Sequence, residues 1–261
     1  MYAEKRDTPA GYDENRGRWI LGGIVLIALA AGAWYWVSQR AAKDEAPAEA
    51  PLPAKAEPAI RNPIVAEDEI DPNLSATEQV STLIGTPRFE ALLVPDDFVR
   101  KVVATVDSLA RQDVPQRMSP AKPLGGAFVT AGEGDKVVLG AANFARYTPW
   151  IELVDSLDPD ATAALYKRLY PQFQKAYEDL GNPDGYFNDR VVEVIDHLLA
   201  APDAPGTITL VRPNVFYEFA DPALESASAG RKLLLRMGPG NAASVKAKLR
   251  EVRSRIAAPP P

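Results

Sequence analysis

Residues 158–181, DPDATAALYKRLYPQFQKAYEDLG, carry the plainest helical pattern in the chain. Asp158 is suited to an N-cap, and Pro159 to the first helical position, where its missing N–H costs nothing. Leu165, Leu169, Phe173, Tyr177 and Leu180 then recur every three or four residues, and Gly181 closes the run. Pro171 lies inside it and is expected to kink or divide the helix, because it lacks a donor and crowds the preceding turn. A stripe of this length needs other elements to cover it, so the flanking sequence should supply them.

On the C-terminal side, residues Asn188 to Ala201 read as a second helix, ended by Pro202. Thr207 to Val211 and Val215 to Phe219 read as short strands around the turn Arg212-Pro213-Asn214. Asp221-Pro222 opens a further helix, Gly238-Pro239-Gly240 breaks it, and Asn241 is expected to cap a last one. On the N-terminal side, Asn143 to Ser156 is helical with a disturbance at Pro149. Phe128 to Thr130 and Lys136 to Leu139 suggest a hairpin across residues 131–135. Pro115 to Pro123 is a loop. Asp96 to Arg111 is a helix with Phe98, Val102, Thr105, Val106 and Leu109 on one stripe. The expectation is one α+β domain, helix-dominated, with short β-hairpins, over residues 76–258.

Outside that domain the sequence changes character twice. Trp19 to Val37 is 19 residues without a charge, about 28 Å as a helix, close to the hydrocarbon thickness of a bilayer. Trp19 stands at one end and Trp34, Tyr35 and Trp36 at the other, where amphipathic rings favour the headgroup region. The reading is a transmembrane helix that contacts the lipid bilayer, preceded by an N-terminal tail at residues 1–18. A cleaved signal peptide is the alternative, since Ala31-Gly32-Ala33 imitates a cleavage site. Lys5, Arg6, Arg16 and Arg18 precede the run and Arg40 and Lys43 follow it, which favours a cytoplasmic N-terminus. Residues 38–75 are rich in Pro, Ala and Glu, with Pro47, Pro51, Pro53, Pro58, Pro63 and Pro72. Such a tract buries too little apolar surface to offset its ordering entropy, so a disordered linker is expected. The chain has no cysteine, which suits an oxidising compartment without requiring one.

Several segments together resemble a known family. Tyr170-Pro171-Gln172-Phe173 with Ala176-Tyr177, and Gly181-Asn182-Pro183 leading to Phe187-Asn188-Asp189-Arg190, are similar to the family called domain of unknown function 3014. So are Ile195-Asp196-His197-Leu198-Leu199, Tyr217 through Glu225, and Lys232-Leu233-Leu234-Leu235-Arg236-Met237-Gly238-Pro239. Lesser similarity reaches back to Asp97, through Thr105-Val106-Asp107 and Asn143 to Tyr147. Arg231 stands where glutamine is expected. The resemblance implies a proteobacterial envelope protein with one N-terminal membrane anchor. It implies no activity, substrate or catalytic residue.

The residues that carry chemistry elsewhere are few. His197 is the single histidine, and Asp189, Glu193 and His197 share one helical face at i, i+4 and i+8. That spacing admits a metal site. A solvated, salt-bridged face is the simpler reading, with Asp189 and His197 each complementing the helix dipole. Ser119-Pro120-Ala121-Lys122 matches S-x-x-K formally, but the flanking prolines make a loop where that chemistry needs a helix start. Asp221 and Glu225 could flank a sugar cleft beside Tyr217, although an N-cap and a first-turn acid explain them as well. Tyr166, Tyr170, Tyr177, Tyr186 and Tyr217 could stack on glycans or fill a core. No catalytic, cofactor-binding or metal residue is therefore assigned, and no cofactor is expected.

Charge separates along the chain. Residues 76–229 hold 13 basic and 22 acidic groups, whereas residues 230–261 hold eight basic and one acidic. In the last helix Val245, Leu249, Val252 and Ile256 form an apolar stripe among Lys246, Lys248, Arg250, Arg253 and Arg255. The stripe is expected to dock on the domain, with its cations against the acidic surface. The functional expectation is a membrane-tethered envelope binding or scaffolding module without catalysis, anchored in the bacterial inner membrane with a periplasmic domain. Its partner would be an envelope protein or glycan, and not nucleic acid. The alternatives are an envelope enzyme acting on peptidoglycan or another glycan through a carboxylate pair, and a structural subunit of a membrane complex.

Overall fold

The structure, a computed structural model, describes residues 59–65, 73–133, 137–203 and 206–258. The chain divides into Met1–Ala56 and Glu57–Pro261, and every described residue belongs to the second unit. The run Trp19–Val37 therefore lies outside the described residues, and among those described no helix is long and apolar enough to cross a membrane. The elements follow as α1 Ala76–Ile84, α2 Thr86–Leu92, α3 Phe98–Leu109, β1 Thr130–Ala131, β2 Val138–Leu139, α4 Ala142–Ala145 and α5 Thr148–Ser156. Next come α6 Pro159–Asp179, α7 Phe187–Leu199, β3 Leu210–Val211, β4 Glu218–Phe219, α8 Pro222–Glu225, α9 Ala229–Met237 and α10 Pro239–Ile256. The domain is helix-dominated with two short antiparallel hairpins, as its hydrophobic periodicity indicates.

Helix α6 packs against α1, α3, α7 and α10. The Asp158 side chain accepts from the Ala161 amide at 2.7 Å, and Pro159 opens the helix as expected. Leu169, Tyr170, Phe173 and Tyr177 are buried along one face, against Val103 of α3 and Phe187 of α7. Contrary to expectation, Pro171 does not divide the helix, which runs unbroken from Pro159 to Asp179. Pro171 falls on the exposed side, where the lost donor does not orphan a carbonyl inside the core. In α3 the predicted stripe is too narrow. Val103 is fully buried and Ala104 and Ser108 are buried beside it, because α1, α6, α7 and α9 all pack against this helix.

The remaining corrections are local. Asn143 to Ser156 is two helices, with Pro149 in the first turn of the second. The helix expected from Asp221 to Met237 is also two, since Ser228 caps α9 through the Arg231 amide. Gly238, at φ +87°, ends α9 and begins α10 in one step. Asn241 is therefore not a cap; its side chain donates to the carbonyls of Phe144 and Met237. A Cβ at Gly238 would meet the Phe144 ring at 2.6 Å, so both the conformation and the close approach require glycine.

The hairpins are shorter than predicted, with Thr130 opposite Leu139 and Leu210 opposite Phe219. They join edge to edge: the Leu139 amide donates to Ile208 O at 2.9 Å and the Leu210 amide to Val137 O at 2.8 Å. The resulting ribbon buries Leu139, Ile208, Leu210 and Phe219 against Leu235 of α9.

The expected linker is shorter than its composition suggests. Residues 59–65, inside the tract 38–75, lie against the domain. The Asn62 amide and side chain both donate to Asp189, at 2.7 and 2.8 Å, and the Ile64 amide donates to the Tyr186 hydroxyl at 2.7 Å. Ile64 packs on the α6–α7 core. Composition failed here because one isoleucine and a few backbone donors are enough to dock a short segment whose partners lie some 125 residues away.

A candidate ligand cleft between α3 and α9

The residues singled out in the sequence do not converge. Asp189 caps the docked segment 59–65, Glu193 pairs with Arg190 at 2.9 Å, and the His197 Nε2 lies 2.8 Å from the Ser228 hydroxyl. Burial, and then the positive charges of Arg231 and Arg190, hold the His197 imidazole below its usual pKa. The three side chains thus serve three separate structural contacts, and no cluster of three or more potential ligands occurs among the described residues.

Ser119 bonds its own loop at Ala121, and Lys122 Nζ donates to Glu90 O, so the formal S-x-x-K match is loop structure. Asp221 is an N-cap, accepting from the Ala223 amide at 2.8 Å. Glu225 accepts from the Phe219 amide at 2.9 Å and from Lys232 at 3.0 Å. Burial alone would raise the Glu225 pKa, but those two donors outweigh it and hold the carboxyl below its ordinary range.

Four of the five tyrosines are core residues. Tyr166 meets Tyr170 at 5.8 Å and Phe173 at 5.6 Å, Tyr170 meets Tyr186 at 5.4 Å, and Tyr177 meets Phe187 at 5.4 Å. Burial raises the pKa of both Tyr166 and Tyr170. Tyr217 differs, stacking on Phe128 at 5.6 Å at the edge of the ribbon.

The basic residues of α10 are mostly consumed inside the domain. Lys246 is buried and donates to Ala201 O at 2.7 Å, Lys248 donates to Leu157 O at 2.8 Å, Arg253 pairs with Asp196 and Arg255 with Asp160. Val245 and Leu249 pack against Leu198, Leu234 and Met237, while Ile256 packs with Val192 and Ile195. The stripe docks as its spacing predicted.

What the sequence reading missed is an open cleft of about 630 Å³ between α3, the start of α5, α9 and the loop 112–124. Helix α9 makes one wall with a complete face: Ala229, Lys232, Leu233, Arg236 and Met237, spaced one and two turns apart. Gly230, Leu234 and Leu235 on its other side are buried, and Met237, at the border between the two, is buried as well. Thr105 and Leu109 of α3 line it as well, as do Tyr147 and Trp150. Gly230 brings α9 close enough to α3 to form the cleft, since a Cβ there would lie 2.9 Å from Leu109 O. The clue in the sequence was that α9 carries large apolar residues around most of its circumference: Leu234 and Met237 enter one core cluster, Leu235 another, and Leu233 is left over.

The polar groups in the cleft are unbalanced. Lys232 and Arg236 lie one turn apart, and Glu225 is the carboxylate that Lys232 engages. Arg236 sits 5.2 Å from the Phe219 ring centroid, and among the described residues its guanidinium makes no hydrogen bond or ion pair. Burial raises the Tyr147 pKa against the opposing charges of Arg236 and Arg146, so this phenol is neutral at physiological pH.

These features define a mostly helical domain with a small β-ribbon and an open cleft with an apolar wall and excess positive charge. Residues 98–253 match the model of the family described as "Protein of unknown function (DUF3014)", and the chain belongs to that family. No curated protein and no solved structure matches the chain.

Proposed function

We propose that the protein is a membrane-tethered binding module of the bacterial envelope. In this reading Trp19–Val37 anchors the chain in the inner membrane with its N-terminus in the cytoplasm, and the domain presents its cleft in the periplasm. The observation that carries the binding role is the cleft itself, into which α9 presents Leu233, 41% exposed, beside the half-buried cations Lys232 and Arg236. Pockets of several hundred Å³ lined by apolar side chains and a few convergent polar groups are the usual form of ligand sites. Asp221 and Glu225 are committed to backbone amides and, for Glu225, to Lys232, which supports binding over acid–base chemistry.

Photo-crosslinking in cells tests this reading. A photoreactive residue at position 233 should capture a discrete species, while one at exposed Arg250, which does not line the cleft, should not. Equal capture at both positions, or none at 233, overturns the role of the cleft.

A further inference from the structure

We propose that the cleft takes an amphiphile with one anionic group, a carboxylate or a phosphate monoester on an apolar body. This rests on the cleft being a binding site and adds the chemistry of what it binds. The apolar component is set by Leu109, Trp150 and Leu233 in the lining, with Met237 buried behind them; Asp113, on the loop, is the carboxylate among the lining residues. The anionic component follows from the charges around it. Lys232 has Glu225 as its counterion at 3.0 Å, and the second Glu225 oxygen is taken by the Phe219 amide. Arg236, one turn on, is left with its N–H donors unused among the described residues. A guanidinium lying over a ring face keeps its in-plane donors available. With Lys122, Lys232 and Arg236 set against Asp113 of the loop and Glu225, the surplus is one positive charge, in a domain whose residues 76–229 are strongly acidic. A single carboxylate or phosphate seated at Arg236 would balance it and accept a charge-assisted bond. Tyr147, a neutral phenol beside the same guanidinium, supplies a further donor. Burying an alcohol or a cation there would leave the Arg236 charge uncompensated.

The test uses the full chain in nanodiscs of zwitterionic lipid, titrated calorimetrically with octanoate, octyl phosphate and octanol, with empty nanodiscs as the blank. Both anions should bind at one site per chain, at least about tenfold more tightly than octanol. A preference between octanoate and octyl phosphate would identify carboxylate or phosphate as the natural group, and either result supports the proposal. Arg236→Gln should reduce both anions to the level of octanol. Leu233→Glu, at an exposed site where folding is not at stake, should weaken all three probes, because it removes part of the apolar wall, and should weaken the anions more than octanol, because it sets a second carboxylate near Arg236. Octanol binding as tightly as the anions overturns the proposal. So does unchanged anion affinity in a folded Arg236→Gln protein. If none of the three probes binds while position 233 still captures a species in cells, the anionic class is wrong and the binding role of the cleft stands. If both experiments fail, both readings fall.

Discussion

Asn188 is 0% exposed, yet every polar atom of its side chain has a partner. Its Nδ2 donates to the carbonyls of Asn62 and Ile256, both at 2.8 Å, and its Oδ1 accepts from the Tyr166 hydroxyl at 3.0 Å. One amide thus joins the docked segment 59–65, the end of α10, the first turn of α7 and the middle of α6. Asn188→Asp removes both donated bonds and sets a buried carboxylate against two carbonyl oxygens. Each unsatisfied buried group costs about 1–3 kcal/mol, so the variant should lose more stability than Asn188→Ala in denaturant unfolding. Equal stability of Asp and wild type would show that the junction contributes nothing. The sequence marked Asn188 only as a helix start within a family motif. Its partners lie 126, 68 and 22 residues away, and helical periodicity reports which side chains face inward, not which buried amide finds a partner.

Among the elements, those with strong internal signals were legible and those defined by neighbours were not. The Asp158 cap, the α6 stripe and the α10 stripe were all predicted from spacing and all occur. A kink or division of α6 at Pro171 was also expected, and the helix is not divided, because the cost of a proline depends on whether its turn faces solvent, which is a tertiary property. The cleft was hidden for a similar reason: α9 was read as the tail of a longer helix, so Leu233 was never set apart from its buried neighbours. For α10 the structure sharpens the consequence of burial. Leu249 packs in two of the apolar clusters, Lys248 donates to Leu157 O, and Arg250 is exposed. Thermal unfolding should therefore rank the substitutions Leu249→Asp, Lys248→Glu and Arg250→Glu in order of decreasing damage. The first places a charge in a core site, with a cost of several kcal/mol, and the last stays within about 0.5 kcal/mol of wild type. Truncation after Gly238 should give an aggregating domain, because it uncovers Leu198, Leu234, Val192 and Ile195 together. A truncated chain that unfolds at the full-length temperature would make α10 a dispensable appendage.

For the whole molecule, composition assigned all of residues 38–75 to a linker, yet segment 59–65 docks on the domain, ahead of the Ser75–Glu78 capping box that opens α1. That segment carries the domain's covalent connection toward Trp19–Val37, so if that run spans a bilayer as proposed, its direction fixes which compartment the cleft faces. The charge balance around the apolar run is informative but not steep, with Lys5, Arg6, Arg16 and Arg18 before it and Arg40 and Lys43 after it. Basic residues are retained on the cytoplasmic side, and large C-terminal domains translocate largely regardless of their own charge. The acidic balance of residues 76–229 therefore offers no obstacle to export. A reporter that is active only outside the cytoplasm, fused after Pro261, should be active, and it should cofractionate with membranes. Activity of a cytoplasm-only reporter at the same position would reverse the orientation and place the cleft among cytoplasmic anions instead. A mature chain released from the membrane and beginning at Trp34 would convert the anchor into a cleaved signal, leaving the cleft in the same compartment but free to diffuse from the bilayer.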